Sequence, residues 1–260
     1  MTTTSELHSK IQSGKILLGC AIDSGLPANA EIAAMLGFDL VWADLEHGSV
    51  SPHQAELFCQ AVKAGGALPI LRIQSATRTH VLRALEAGAS LVVVPMVENP
   101  KTSRQIVEQG KYKPLGERGF NGSSRGLRYG IGNPLANMEW ANRETHLFVQ
   151  IETVEALRCC EELVAMEGIS GGVVGPGDLS VSMGKPLAFD DPEMSEAVGR
   201  AVRAIRSQNK IAMLVSGHSG LAKAAVKAGV NILVCAGERP SLRAHWQQSL
   251  KEMAALIHAS

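Results

Sequence analysis

The chain has 260 residues, 45% of them hydrophobic and 4% aromatic, with 25 basic side chains balanced by 25 acidic ones. That length and apolar content suit a single domain spanning residues 1–260 with a large aliphatic core. The charge balance supplies no basic surface for nucleic acid, no apolar run is long enough to cross a bilayer, and the start, Met1 through His8, lacks the basic and apolar regions of a secretion signal, so a cytoplasmic protein without a membrane partner is expected.

Short, near-continuous apolar runs predict strands at 17–22, 40–43, 68–73, 91–96, 147–151, 172–174, 211–215 and 232–235, as expected of strands buried on both faces. Helical patterns fall between most of them, at 28–36, 53–64, 80–87, 101–109, 154–165, 194–207 and 219–228, and the tail 240–257 has the pattern of a final amphipathic helix. Gly37, Gly65, Gly88 and Gly229 follow helices and are placed to close them in the left-handed conformation. The regular β-then-α alternation predicts the α/β class, a closed (β/α)₈ TIM barrel. Segment 110–143, long and rich in Gly and Arg, interrupts the rhythm, and long loops inside compact domains are usually functional. Cys20, Cys59, Cys159, Cys160 and Cys235 are odd in number and irregular in spacing, which predicts reduced thiols, with helix packing rather than metal binding for the adjacent pair.

Active sites of such barrels lie at the carboxyl ends of the strands. Those ends supply Asp44-Leu45-Glu46-His47, Arg72, Gln150-Ile151-Glu152 and Gly175-Pro176-Gly177-Asp178. Carboxylate oxygens converging on one mouth suit a hard cation such as Mg²⁺ or Mn²⁺. Glu152 follows an apolar strand directly and needs a cation or hydrogen-bond partner to offset its desolvation. Asp178 fits either a metal ligand or the N-cap of a following helix, and of these the ligand is expected. His47, beside Asp44 and Glu46, is placed to shuttle a proton; Arg72 is placed to steady an oxyanion or to neutralise the nearby acids. No Lys ends a predicted strand, which disfavours Schiff-base chemistry, and no glycine-rich dinucleotide signature follows the first. The loops 216–220 and Gly237-Glu238-Arg239 offer a weak phosphate-binding signal.

The ordered set Phe38-Asp39-Leu40-Val41-Trp42-Ala43-Asp44-Leu45-Glu46-His47, Pro95-Met96-Val97-Glu98-Asn99, Gln150-Ile151-Glu152-Thr153 and Gly175-Pro176-Gly177-Asp178-Leu179-Ser180 resembles the HpcH/HpaI aldolase family of metal-dependent pyruvate aldolases, from about the first strand to the last helix. The resemblance implies a divalent metal, Mg²⁺, Mn²⁺ or Co²⁺, held by Glu152 and Asp178, with a 2-oxo acid chelated to it and an aldehyde as the second substrate. It implies that Arg72 stabilises the enolate oxygen, that His47 paired with Asp44 transfers the proton, and that Gly177, Asp178 and Gln150 contact the substrate. It also implies a substrate-side loop at 116–119 and 123–128, which brings in Ser124. Glu86 stands where Asp is common, at a position associated with a subunit contact, and Gly177 stands where Ala is commoner. A homohexamer whose C-terminal helix is exchanged between subunits is the implied assembly. The alternatives are a lyase acting on a CoA thioester, which needs cations for the phosphates, and a non-catalytic barrel that binds 2-oxo acids, which the presence of Arg72, His47, Glu152 and Asp178 together opposes.

Overall fold

The structure, a computed structural model, describes residues 4–259, so Met1 through Thr3 of the expected non-signal start, and residue 260, lie outside it. Among the described residues eight parallel strands close into a barrel: β1 (Leu17–Ala21), β2 (Leu40–Asp44), β3 (Leu68–Arg72), β4 (Leu91–Val94), β5 (His146–Ile151), β6 (Ile169–Val174), β7 (Ile211–Val215) and β8 (Ile232–Gly237), with β8 pairing back to β1. Helix α1 (Thr4–Gln12) precedes the barrel. Around it follow α2 (Pro27–Met35), α3 (Pro52–Ala64), α4 (Arg78–Glu86), α5 (Pro100–Gly110), α6 (Pro134–Glu144), α7 (Val154–Arg158), α8 (Cys160–Ala165), α9 (Pro176–Ser182), α10 (Pro192–Ser207), α11 (Ser219–Ala228) and α12 (Glu238–Ala259). This is the (β/α)₈ barrel that the alternation predicts.

Strand side chains alternate between two faces, and here both faces are apolar. Leu40, Trp42, Leu68, Ile70, Leu91, Val93, Phe148, Val173, Met213 and Val234 fill the barrel interior. Val41, Ala43, Leu71, Val92, Val149 and Leu214 point outward into the layer shared with the helices. Phe148 is fully buried because Gly171 on the next strand yields the space; a Cβ there would collide with the Phe148 ring and the Ile211 carbonyl. Leu7 of α1, 2% exposed, joins the interior cluster with Ile11 beside it, so α1 closes the amino end of the barrel. The interior alternation has a consequence at the other end: Asp44, Arg72 and Gln150 occupy the interior-facing positions one step beyond Trp42, Ile70 and Phe148, and therefore form its polar top layer.

Several elements depart from expectation. The left-handed turns fall at Gly37 (φ 101°), Gly88 (φ 94°) and Gly229 (φ 91°), but Gly65 stays helical at φ −73° and Gly66 (φ 93°) makes the turn, because the helix runs one residue further. The single helix predicted at 154–165 breaks at Cys159 (φ −102°, ψ 19°) into α7 and α8. Cys160 is buried, and all five cysteines are free. Segment 110–143 is not an unstructured loop at the mouth. It connects α5 to β5, so it leaves from the amino ends of the strands, and it holds a 3₁₀ turn (Arg125–Gly130) and α6, whose start is capped by the Asn133 side chain. From there the segment runs along α4, where a Cβ on Gly126 would strike the Leu85 carbonyl. Among the described residues no helix is long and apolar enough to cross a membrane.

Candidate active site

The site is assembled by register. β2 and β3 align so that Asp44 lies opposite Arg72. Both side chains point into the barrel, where an isolated charge would be costly, and they form a two-pronged ion pair: Arg72 Nη2 to Asp44 Oδ2 at 2.6 Å and Arg72 Nε to Asp44 Oδ1 at 3.0 Å. Arg72 Nε also lies 3.3 Å from Glu46 Oε2, and its guanidinium carbon sits 5.8 Å from the centre of a Trp42 ring. Burial alone would raise the Asp44 carboxyl, but the Arg72 bonds and charge, with the N–H groups of Glu46 and His47, outweigh it and hold Asp44 below its usual range. Burial works against the Arg72 cation too, and its carboxylate neighbours overcome it. Glu46 is left raised, mainly by burial, with Arg72 and His47 offsetting only part of it.

The loop after β2 is tight. Asp44 Oδ1 accepts from the backbone N–H of Glu46 (3.0 Å) and of His47 (3.3 Å), and Gly48 packs so close to the Asp44 carbonyl that no side chain fits. This corrects the expected His47–Asp44 pair. The Asp44 carboxylate is occupied by Arg72 and backbone, and the imidazole instead has its Nε2 3.9 Å from Glu46 Oε2, with 66% of its side chain exposed. Register decides this outcome, since Arg72 reaches Asp44 from the neighbouring strand.

Glu152 is 2% exposed. Its Oε1 accepts from the Met96 backbone N–H at 2.7 Å, and its Oε2 accepts from Gln150 Nε2. Burial raises its carboxyl above the usual range; those two bonds pull it down, and the charges of Asp178 and Glu46 push it up again. Gly175 lies against this pair: a Cβ there would come within 3.0 Å of Gln150 Nε2 and 3.2 Å of Glu152 Oε2. Asp178 does not cap α9. Gly175 holds the N-cap position and Asp178 sits in the first turn, exposed to the mouth. The first helical bond runs from Leu179 N–H to Gly175 O, so the N–H groups of Gly177 and Asp178 precede the ladder, and a Cβ on Gly177 would meet nothing within 4 Å. Buried Glu46 Oε2 and Gln150 Oε1 have no hydrogen-bond partner.

Ser124 lies elsewhere. Its Oγ donates to the Asn121 carbonyl, and with Arg83, Glu86 and Arg125 it lines a groove along α4, outside the mouth of its own barrel, because its segment enters from the opposite face. Lys111, pushed down to about 8 by burial, also belongs to that face, where its ammonium donates to the carbonyls of Asn142 and Thr145. No Schiff-base lysine therefore reaches the mouth through it. Glu238 accepts from Ser24 N–H, Ser24 Oγ and Asn29, so the loop after β8 presents an anchored carboxylate, which opposes a phosphate there. The sequence placed Glu46 among the acids at the strand ends without giving it a role, and Met96 only within the ordered motif set; the bond from the Met96 N–H to Glu152 has no signal in the sequence.

The residues fit a divalent cation. The donors are hard oxygens, and the Glu152 carboxylate is raised by burial, with the charges of Asp178 and Glu46 adding to the shift. Among the described residues no group of three or more His, Cys, Asp or Glu is placed to hold a metal, and the carboxylates that could do so at the mouth are Glu152 and Asp178.

A family model described as HpcH/HpaI aldolase/citrate lyase matches residues 18–234. A 2-keto-3-deoxy-L-rhamnonate aldolase of Escherichia coli strain UTI89 is 31% identical over 232 residues, covering 88% of this chain and 86% of the relative. The crystal structure of an HpcH/HpaI aldolase from Desulfitobacterium hafniense DCB-2 superimposes with TM-score 0.88 at 27% identity, covering 95% of this chain and 96% of that one. A citrate lyase beta subunit from M. tuberculosis, solved with oxaloacetate and magnesium, superimposes with TM-score 0.56 at 17% identity, covering 86% and 92% of the two chains, a likeness of fold alone.

Proposed function

This chain belongs to the HpcH/HpaI aldolase/citrate lyase family, a premise from which we propose that it is a divalent-metal-dependent aldolase cleaving or forming 4-hydroxy-2-oxo acids, with pyruvate and an aldehyde as the smaller partners. It is a carbon–carbon lyase. The observation that carries the finer reading is the buried Glu152 carboxylate beside Asp178, with the Arg72 fork on the same mouth.

Glu152 and Asp178 would hold a divalent cation, which would supply Lewis-acid stabilisation to the enolate of a 2-oxo acid. Arg72 steadies the enolate oxygen. Asp44 engages Nε and Nη2, which leaves Nη1 for substrate. The free N–H groups of Gly177 and Asp178 and the unpartnered Gln150 Oε1 orient the substrate. His47 Nε2, exposed on the rim, moves the proton of the aldol hydroxyl, with Glu46 as its charged neighbour. No observation favours the CoA-thioester lyase.

The test is hydrogen–deuterium exchange at the pyruvate methyl group, followed by NMR. Exchange is expected with added Mn²⁺ or Mg²⁺ and not with chelator. Exchange at the same rate in chelator, or none under either condition, would overturn the aldolase reading.

The same reading carries a homo-oligomer built by exchange of α12. Leu242, Trp246, Leu250 and Met253 fall on one side of that helix, with Trp246 61% and Leu250 73% exposed. Such a stripe is costly to leave in water. Trp246→Glu is expected to lower the particle mass measured by light scattering, and an unchanged mass would remove α12 from the contact. The free thiols suit a cytoplasmic location.

A further inference from the structure

β4 ends at Val94, and the chain then turns across the mouth before α5. Met96, in that turn, has φ 53°, in the left-handed region that a residue bearing a Cβ rarely enters. Its side chain does not explain the strain, since it is 56% exposed. The next residue, Val97, is fully buried, so the reversal at Met96 sends Val97 into the core while the Met96 N–H faces the barrel mouth. There it donates to Glu152 Oε1 at 2.7 Å. Gln150 Nε2 holds the other oxygen, and Gly175 closes the side of the pair.

We propose that Met96 is a positioning residue that acts through its backbone: its left-handed conformation lets the chain turn into the core at Val97 while the Met96 N–H stays on Glu152 and fixes that carboxylate for metal binding. The inference rests on the reading of Glu152 as a metal-holding group. Strain kept at an exposed side chain is explained by what its amide does. Groups that orient a metal ligand typically change affinity by about 10- to 100-fold when lost.

The two roles Met96 could have are separable by substitution. Met96→Gly and Met96→Asn remove the thioether but accept the left-handed conformation; Met96→Val keeps an apolar side chain but is β-branched and resists it. The measurement is Mn²⁺ binding to the full-length protein, titrated through the electron paramagnetic resonance signal of free Mn²⁺, with circular dichroism to confirm folding. Wild type is expected to bind and Glu152→Gln to lose binding. Met96→Val is expected to bind at least about tenfold more weakly, and the Gly and Asn variants within about threefold of wild type. Wild-type affinity in Met96→Val, or a loss in Met96→Gly equal to that in Met96→Val, would overturn the inference. If Met96→Val does not fold, retained binding in the Gly and Asn variants supports the inference and lost binding overturns it. Binding that survives Glu152→Gln, or is missing from wild type, instead overturns the metal reading beneath it.

Discussion

Replacing Glu152 with Gln is expected to abolish Mn²⁺ binding and to slow metal-dependent proton exchange at the pyruvate methyl by about 10³-fold or more, which is about 4 kcal/mol of lost transition-state stabilisation. The barrel should survive. The Glu152 carboxyl is raised by burial, so its contribution to stability is fully present below its unfolded value, about 4.3, and is lost as pH rises through its higher folded value. At neutral pH, without metal, the ionised group is therefore a cost that Gln does not carry. Gln keeps an oxygen for the Met96 N–H. Gln150, whose Oε1 has no partner, can turn its amide to accept from the new NH₂. The metal-free variant should match or exceed the wild-type thermal midpoint at pH 7, with the difference shrinking on acidification. Retained exchange with a full metal response would remove Glu152 from the ligand set; a collapsed midpoint would make its role structural.

Arg72→Lys carries the second large effect. Lysine keeps the charge but cannot span Asp44 with two nitrogens and still present a third to substrate. Enolate formation is expected to fall by about 10²- to 10³-fold, the range seen when one donor to a developing oxyanion is lost. Mn²⁺ affinity should change little, because Arg72 bonds Asp44 rather than Glu152 or Asp178. Stability should fall as well, by about 1–3 kcal/mol, the worth of a charged hydrogen-bonded partner. The sign with pH follows from Asp44. Burial would raise its carboxyl, but its bonds to Arg72 and the backbone hold it low. Its stabilisation is thus present above its unfolded value, about 3.9, and is lost as pH falls through the lower folded one. Urea denaturation should show the deficit of Arg72→Lys at pH 7 and its narrowing in acid. Unchanged pyruvate proton exchange would rule out the enolate role.

Much of the site was legible because strand ends are local features. An apolar run followed by Glu152 or Arg72 marks both the strand and the face on which its last polar residue stands, and in a parallel barrel that face is the mouth. The same route places Gln150 and Asp178 at the mouth, where the structure has them. Ser124 is linked to the substrate side by resemblance alone; within this chain it lies along α4, outside the mouth of its own barrel. The helix at 154–165 was predicted whole because its apolar spacing continues through Cys159; the break there leaves no trace in the periodicity.

The sequence by itself determined the barrel, the positions of its strands and the identity of the carboxylates and the arginine at their ends. These depend on short apolar runs and on the β-then-α rhythm, both properties of neighbouring residues, whereas runs apolar on both faces do not say which side chains point inward. Only the tertiary structure decided which of these groups meet. Asp44 pairs with Arg72 and leaves His47 to Glu46 because β2 and β3 align at that register. Met96 takes a strained conformation because Val97 must be buried while Glu152, more than fifty residues later in the chain, needs an N–H. Register and burial are set by the closure of all eight strands at once, so no local stretch of sequence contains them.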